Sequence, residues 1–385
     1  QVFHYMAKLL DFLTAAPELL LCQFLPALQS LGQHALRPDS DESSAMTFTI
    51  RPAELADIDR VADLLEADAM GRCTDRRGLW LLDRAAPEKI RSVIKAAMEA
   101  DNPPFRQQWL IAEAGGRLVG VAHSILLPVP PIYAGDFGQP GLIMEDCFIT
   151  PDAPTETRHE LLRAAEEDLV GAGALILLAS SVSGGAWEAV YAEHGYEPLT
   201  AYFAKTGLTR QSAPAHVRPA TGEDVPGIVA ASAVHRRILA DLHTLFWKPH
   251  EDADARFGAW MKRSLTLEDR DMFVSDEEGT IRGYAISHPA TPLHFPVPHD
   301  ITGIGVIDDF FHEATKDPRN LGASGPQAAA LFSAAEAARA RRGDHSVMVV
   351  CPANWQSKIR MLEQLGYHNA ITWHIRFVDE NGQAT

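Results

Sequence analysis

The sequence predicts an α/β protein made of two consecutive mixed α/β domains, each a twisted central sheet flanked by helices. Three observations carry that expectation. The chain repeats itself: Arg51-Pro52-Ala53-Glu54-Leu55-Ala56-Asp57-Ile58 returns as Arg218-Pro219-Ala220-Thr221-Gly222-Glu223-Asp224-Val225, and four further segments recur in the same order. Trp109 to Gly120 matches Met272 to Gly283, Glu145-Asp146-Cys147-Phe148 matches Asp308-Asp309-Phe310-Phe311, Ala165-Glu166 matches Ala335-Glu336, and Gly195-Tyr196 matches Gly366-Tyr367. The offsets, 163 to 171 residues, are those of a duplicated domain; solenoid repeats run only ~20–50 residues. Within each copy, the hydrophobic pattern switches between strand and helix periods in the order β-α-α-β-β-β-α-β-α-β, a mixed layer architecture. The expected limits are 1–46 for a helical extension and polar linker, 47–210 for the first domain and 211–385 for the second.

The elements follow in order. Leucine- and phenylalanine-rich turns up to Leu25 are interrupted by Pro17 and Pro26 and carry Lys8, Asp11 and Glu18. That pattern fits neither a signal peptide nor a membrane span. Pro38 to Ser44 reads as a linker, and Met46 is a plausible functional start. Repeat one opens with a strand at Phe48–Ile50 and a helix from Asp57 to Ala67, whose Ile58, Val61, Leu64 and Leu65 share a face. A helix over Pro87–Ala100 and a hairpin turning at Gly115-Gly116 come next. A proline-rich connection, Pro128–Pro140, leads to a strand over Leu142–Ile149, a helix over Glu156–Leu169 and an apolar central strand at Leu175–Ala179. A helix over Ala186–His194 and a strand over Ala201–Lys205 close the unit.

Repeat two has a strand at Val217, a helix from Glu223 and a helical insert containing Phe246-Trp247-Lys248-Pro249. A hairpin at Glu278-Gly279 and a second proline-rich connection, Pro289 to Pro298, precede a strand over Val306–Phe311. A helix over Gln327–Arg341, a strand over Val347–Val350, a helix over Trp355–Leu365 and a strand over Thr372–Phe377 complete it.

Composition narrows the function classes. A formal charge of −17 argues against nucleic-acid partners and against an anionic membrane surface, and mildly favours neutral or cationic small substrates. The four cysteines share no close spacing and read as reduced thiols of a cytoplasmic protein, without a disulfide framework or zinc site. No His-Glu-x-x-His occurs, so His294 and His299 beside the second proline-rich connection are poor evidence for a metal, and none is expected.

The ordered set of motifs resembles the GNAT superfamily of N-acyltransferases, twice, over roughly 47–208 and 213–378. The residues that carry the resemblance are Arg51-Pro52 with Asp57 and Arg218-Pro219 with Asp224, the turn glycine Gly115 before Val119-Gly120, and the helix end Ile359-Arg360-Met361-Leu362-Glu363-Gln364-Leu365-Gly366-Tyr367 with its looser copy Trp187–Tyr196. The resemblance implies acetyl-CoA or another acyl-CoA as co-substrate and an amine of a small molecule as acceptor, reacting directly in a ternary complex. It places the pyrophosphate at the strand-to-helix loops, where a helix N-terminus favours anions. In repeat one that loop offers Thr155, Thr157 and Arg158 and has no glycine; in repeat two it offers Gly322, Ser324 and Gly325. Tyr191 holds the position of the family's acid, whereas repeat two has Leu362 there. The acidic pairs Glu145-Asp146 and Asp308-Asp309 are the base candidates, because a carboxylate inside an apolar strand is costly without a purpose. Trp80, Phe105, Phe246 and Trp247 fall where the family shapes its acceptor side.

One repeat alone could be active, and a homodimer is a possible assembly. The alternatives are a non-catalytic sensor or scaffold that binds a CoA ester, another small ligand or a protein, and a composite site in which the proline-rich connections cover the opposite repeat's cleft.

Overall fold

A computed structural model describes residues 48–75, 78–101, 103, 105–209, 216–291, 295–321 and 325–379. The N-terminal extension, Met46 and the linker Gln211–Pro214 lie outside the described residues.

Repeat one contains β1 (Phe48–Pro52), α1 (Ile58–Asp75), α2 (Ala86–Glu99), β2 (Gln107–Ala114), β3 (Arg117–Leu126), β4 (Gly141–Ile143), β5 (Phe148–Ile149), α3 (Thr157–Gly171), β6 (Ile176–Val182), α4 (Ala186–Glu193) and β7 (Glu197–Thr206). Repeat two contains β8 (Val217–Pro219), α5 (Val225–Leu242), α6 (Ala253–Ser264), β9 (Asp271–Glu277), β10 (Thr280–Pro289), β11 (Ile304–His312), α7 (Pro326–Arg342), β12 (Ser346–Pro352), α8 (Gln356–Gln364) and β13 (His368–Phe377). Two expectations need correction. The helical insert begins at Ala253, after Pro249, whose missing N–H cannot join a helical ladder. The strand expected over Leu142–Ile149 breaks between Ile143 and Phe148, and the acidic pair sits in that break.

The Arg-Pro motif does the same structural work in both copies. Arg51 grips Asp57 with two nitrogens, at 2.6 and 2.9 Å, and Asp57 accepts from the Glu54 N–H at 3.0 Å. Arg218 grips Asp224 at 2.8 Å twice, and Asp224 accepts from the Thr221 N–H at 2.7 Å. Each aspartate thereby caps the turn that starts the first helix and ties it to the first strand. The guanidinium of Arg218 holds Asp224 down at about 2.

All strands join one sheet, in the order β1-β2-β3-β4-β6-β13-β7-β12-β11-β10-β9-β8, with β5 pairing β3. Read with the repeat correspondence, this order is a palindrome about β13 and β7. The last strands of the two repeats are exchanged: β13 pairs β6 of repeat one, β7 pairs β12 of repeat two, and both pairings are antiparallel. β7 and β13 also pair with each other. The second crossing comes from the proline-rich connections. From repeat one, Ile132 O accepts from the His250 N–H at 2.9 Å, and the Ala134 N–H donates to Lys248 O at 2.8 Å. From repeat two, Pro298 O accepts from the Asp83 N–H at 2.9 Å, and the Asp300 N–H donates to Leu81 O at 2.7 Å.

Helices pack on both faces. Leu161, Leu162, Ala165 and Leu169 of α3 bury one face of the first half-sheet, and Val61, Leu64, Leu65, Ile90 and Ile94 of α1 and α2 bury the other. The largest cluster joins repeat two to the centre of the sheet, with Trp355, Trp373, Phe311 and Phe332 fully buried.

Candidate active site

β4 and β6 run parallel only from Gly141/Leu177 to Ile143/Ala179, and past that register they part. The gap is a cleft of about 500 Å³. Its walls come from α1, the broken strand and the starts of α3 and α4: Asp68 and Arg72, Glu145 and Cys147, Arg158, and Gly185 to Trp187. Ser181 and Trp80 also line it. Two helix N-termini therefore open on one cleft, where free N–H groups and the helix dipoles favour an anion.

The acidic pair divides. Glu145 lines the cleft, fully buried; desolvation pushes its carboxyl above the usual range, against the pull of Ser180 and Arg72. Asp146 turns to the α1/α2 side and meets His123 Nδ1 at 3.0 Å, while His123 stacks on Trp109 at 4.4 Å. Burial alone would raise Asp146, but the charge and hydrogen bond of His123, with Arg72, carry it below the usual value.

Sequence reasoning missed Asp68. It follows Val61, Leu64 and Leu65 down the buried stripe of α1 and pairs with Arg72 one turn on, and Arg72 also donates to Glu145 O. Burial pushes Asp68 up to about 7. The available signal was an acid–arginine i,i+4 pair continuing an apolar stripe; such pairs usually read as solvated surface.

The phosphate-loop residues separate as well. Thr155 is exposed. Thr157 is fully buried and Arg158 lies on the cleft wall with its guanidinium 5.6 Å from the Trp187 ring. Among the described residues, Arg158 Nε, Ser181 Oγ, Arg72 Nη1 and Trp80 Nε1, all of residues that line the cleft, are buried without a hydrogen-bond partner. Buried polar atoms are rarely left so, and their convergence on one cleft marks a place for a polar ligand.

Tyr191 lies behind that wall. It is fully buried, stacks under Trp187 at 5.8 Å and donates to Ser180 O at 3.4 Å. Burial pushes its hydroxyl well above the usual tyrosine range.

Among the described residues, repeat two is filled at the place that matches Asp68, Gly184 and Trp187; its opening of about 570 Å³ lies instead beside Arg218, Gly227, Asp276 and Phe311. Lys358, at the offset that pairs Gly195 with Gly366, replaces Trp187, and Trp355 replaces Gly184. Trp187 Nε1 donates to Cys147 O at 2.9 Å; Lys358 Nζ donates to the matching Phe310 O at 2.6 Å. A side chain at Gly184 would meet open space, whereas Trp355 is fully buried with its Nε1 on Thr315 O at 2.8 Å. His235, the counterpart of Asp68, lies 3.1 Å from Lys358 Nζ and 3.4 Å from Asp309. Burial, reinforced by Lys358, lowers His235 to about 4, and burial lowers Lys358 to about 8. Asp309 accepts from Tyr284 at 2.8 Å and Asp308 lies 3.3 Å from His288. What remains is a void of about 20 Å³ bordered by Trp247, His235 and Asp308. Gly325 is the cap of α7, and Gly322 and Ser324 lie outside the described residues. Phe105 packs against the core, and Phe246 meets Trp247 edge-on. Cys147 and Cys351 are buried and free, and among the described residues no helix is long and apolar enough to cross a membrane.

No family model and no curated protein matches the chain. Solved structures do. A GCN5-related N-acetyltransferase from Sphaerobacter thermophilus aligns with a TM-score of 0.50 and 15% identity, over 86% of this chain and 95% of that one. A tandem GNAT protein from the clavulanic acid biosynthesis pathway aligns over 86% and 97%, at 14% identity and a TM-score of 0.45. A glucosamine N-acetyltransferase region of a fungal multi-domain β-N-acetylglucosaminidase aligns over 88% and 39%, at 14% identity and 0.49. The parting of β4 and β6, the helices on both faces and the alignment over nearly the whole length of the first of these structures lead to one conclusion: the chain has the GNAT fold of the GCN5-related N-acetyltransferases.

Proposed function

We propose that repeat one is an acyl-CoA-dependent N-acyltransferase site that transfers an acyl group, in the simplest case acetyl, to the amine of a small molecule. The observation that carries this reading is the open cleft between two helix N-termini with Asp68 and Glu145 in its lining. The CoA pyrophosphate would take the first-turn N–H groups of α3, with the Arg158 charge and the Thr157 hydroxyl beside it. The acceptor amine would enter from the α1 side. Asp68, held at about 7, suits a base working near neutral pH, and Glu145 would orient the amine. The amine nitrogen forms its bond to the thioester carbonyl, the C–S bond breaks, the amine proton passes to Asp68, and the departing thiolate takes a proton from water at the cleft mouth. The acid role expected of Tyr191 is not part of this scheme, because its hydroxyl is engaged by Ser180 O behind Trp187.

The same reading takes 47–210 and 211–385 as two domains joined by strand exchange, with repeat two as the buttress. Calorimetry of the full chain with acetyl-CoA tests it. One equivalent bound per chain is expected, and no heat up to concentrations on the order of millimolar would overturn it.

A second reading, a sensor that keeps the fold without the reaction, draws on the glycine-free loop Ala153–His159 and the buried Tyr191. A thermal-shift screen separates the two: stabilisation by CoA esters with acceptor turnover supports the enzyme, and stabilisation by other ligands alone supports the sensor.

A further inference from the structure

His299 belongs to repeat two by sequence and packs against Trp80, a residue of the repeat-one cleft. It sits on the crossing proline-rich connection, where Asp300 N and Pro298 O hold it against the 81–83 segment. Its ring packs on Trp80 at 5.0 Å, with Phe295 on the same indole at 5.3 Å. It is 2% exposed, and among the described residues neither ring nitrogen has a hydrogen-bond partner. The Leu81 carbonyl, which accepts from the Asp300 N–H, lies near the ring and favours its protonated form, against the larger effect of burial. Burial and the nearby Arg72 charge keep this imidazole neutral, at about 3, so it offers one N–H and one lone pair.

The neighbours of His299 are donors in the same condition. Trp80 Nε1 and Arg72 Nη1 are both buried without partners among the described residues, and the Arg72 guanidinium lies 5.6 Å from the Trp80 ring. A packed core has no use for three unsatisfied polar groups in contact, since each costs stability. Arg72 pairs with the Asp68 carboxyl, and its charge also acts on the Glu145 carboxyl, which lines the same cleft. The cleft lining thus has two poles: donors with a guanidinium at one, and carboxyls at the other.

We propose that the acceptor is an amino acid, whose carboxylate is held by Arg72, Trp80 and the His299 contributed by repeat two, and whose amine is held by Asp68 and Glu145. This deepens the acyltransferase reading of the same cleft and rests on it. A zwitterion adds no net charge to an enclosed site, which suits a region that already balances buried acids against one arginine. His299 acts here as a specificity residue that senses the carboxylate, outside the bond-making step. The site is complete only when both repeats are present.

The test uses the full chain, acetyl-CoA and matched pairs of acceptors: each standard amino acid against the amine left by removing its carboxylate, such as phenylalanine against phenethylamine. At least one amino acid should be acetylated with kcat/KM more than about tenfold above its amine partner. His299→Leu should raise KM for that amino acid by about tenfold and lower kcat by much less, and His299→Gln, which keeps a donor and an acceptor, should restore most of the loss. A purely structural His299 predicts instead that His299→Leu raises the melting temperature and leaves the amino-acid preference in place. That result overturns the inference, as does acetylation of the amines at equal or higher efficiency, or acetylation of neither class. Failure of acetyl-CoA to bind overturns the underlying acyltransferase reading, whereas binding with no amino-acid preference overturns the acceptor assignment alone.

Discussion

The two repeats share a frame and differ at its mouth. Where repeat one has Gly184, Trp187 and Asp68, repeat two has Trp355, Lys358 and His235. The first set leaves about 500 Å³ open, and the second packs an indole and a buried amine into the same place and leaves about 20 Å³. The hydrogen bond to the strand carbonyl survives the exchange, indole to Cys147 O in one copy and ammonium to Phe310 O in the other. The comparison teaches that a cleft is closed by filling its volume while its backbone geometry is kept. Repeat two also supplies β13 to the sheet of repeat one and packs His299 on Trp80 of that cleft.

The sharpest way to break this comparison is to remove the carboxyls. Asp68→Asn is expected to lower turnover by ~10²–10⁴-fold with little change in acetyl-CoA affinity, the range for loss of a general base, and Glu145→Gln should act in the same direction. Asp309→Asn in repeat two should change turnover less than about twofold and lower the melting temperature, since Asp309 accepts from the buried Tyr284 hydroxyl. Steady-state kinetics of the three variants decides between the repeats; a larger loss for Asp309→Asn would reverse the assignment.

Next in size is the plug. Trp355→Ala should cost ~3–5 kcal/mol of stability, as expected for a buried tryptophan that leaves a cavity. Denaturant titration measures it, and a cost under about 1 kcal/mol would mean that Trp355 does not fill the cleft.

The smallest effect is in pH dependence, where the two clefts have opposite signs. Asp68 has a raised folded value, so the native state holds its proton longer, and its contribution to stability falls as pH rises from about 4 to about 7. His235 and Lys358 have lowered folded values, so the unfolded chain binds more protons. Their contributions rise with pH, from about 4 to 6.5 for His235 and from about 8 to 10.5 for Lys358. Melting temperatures of Asp68→Asn and Lys358→Met across pH should lose the fall and the upper rise respectively. Parallel curves for wild type and both variants would show that neither group titrates in these windows.

The fold was largely legible because each local pattern agreed with its neighbours: the hairpin at Gly115-Gly116 and the stripe Val61-Leu64-Leu65 both read correctly. The site was legible in part. Glu145 and Arg158 line the cleft, because an acidic pair in an apolar stretch and a helix start announce themselves in sequence. Asp68, Lys358 and the packing of His299 on Trp80 were not visible. The first two look like ordinary helix-surface charges until packing buries them, and His299 meets Leu82 and Trp80 across more than 200 residues of sequence.

By itself the sequence determined the duplication, the order of elements and the aspartate-capped starts of both first helices. These depend on residues close together in the chain, and Arg51–Asp57 and Arg218–Asp224 are each six apart. Tertiary structure decided which copy of the last strand completes which half-sheet and which cleft stays open. β7 and β13 are equivalent strands, so pairing within a repeat and pairing across repeats satisfy the same alternation and the same hydrogen bonds. Whether a cleft remains depends on the volume left after distant side chains have packed, and no local pattern carries that quantity.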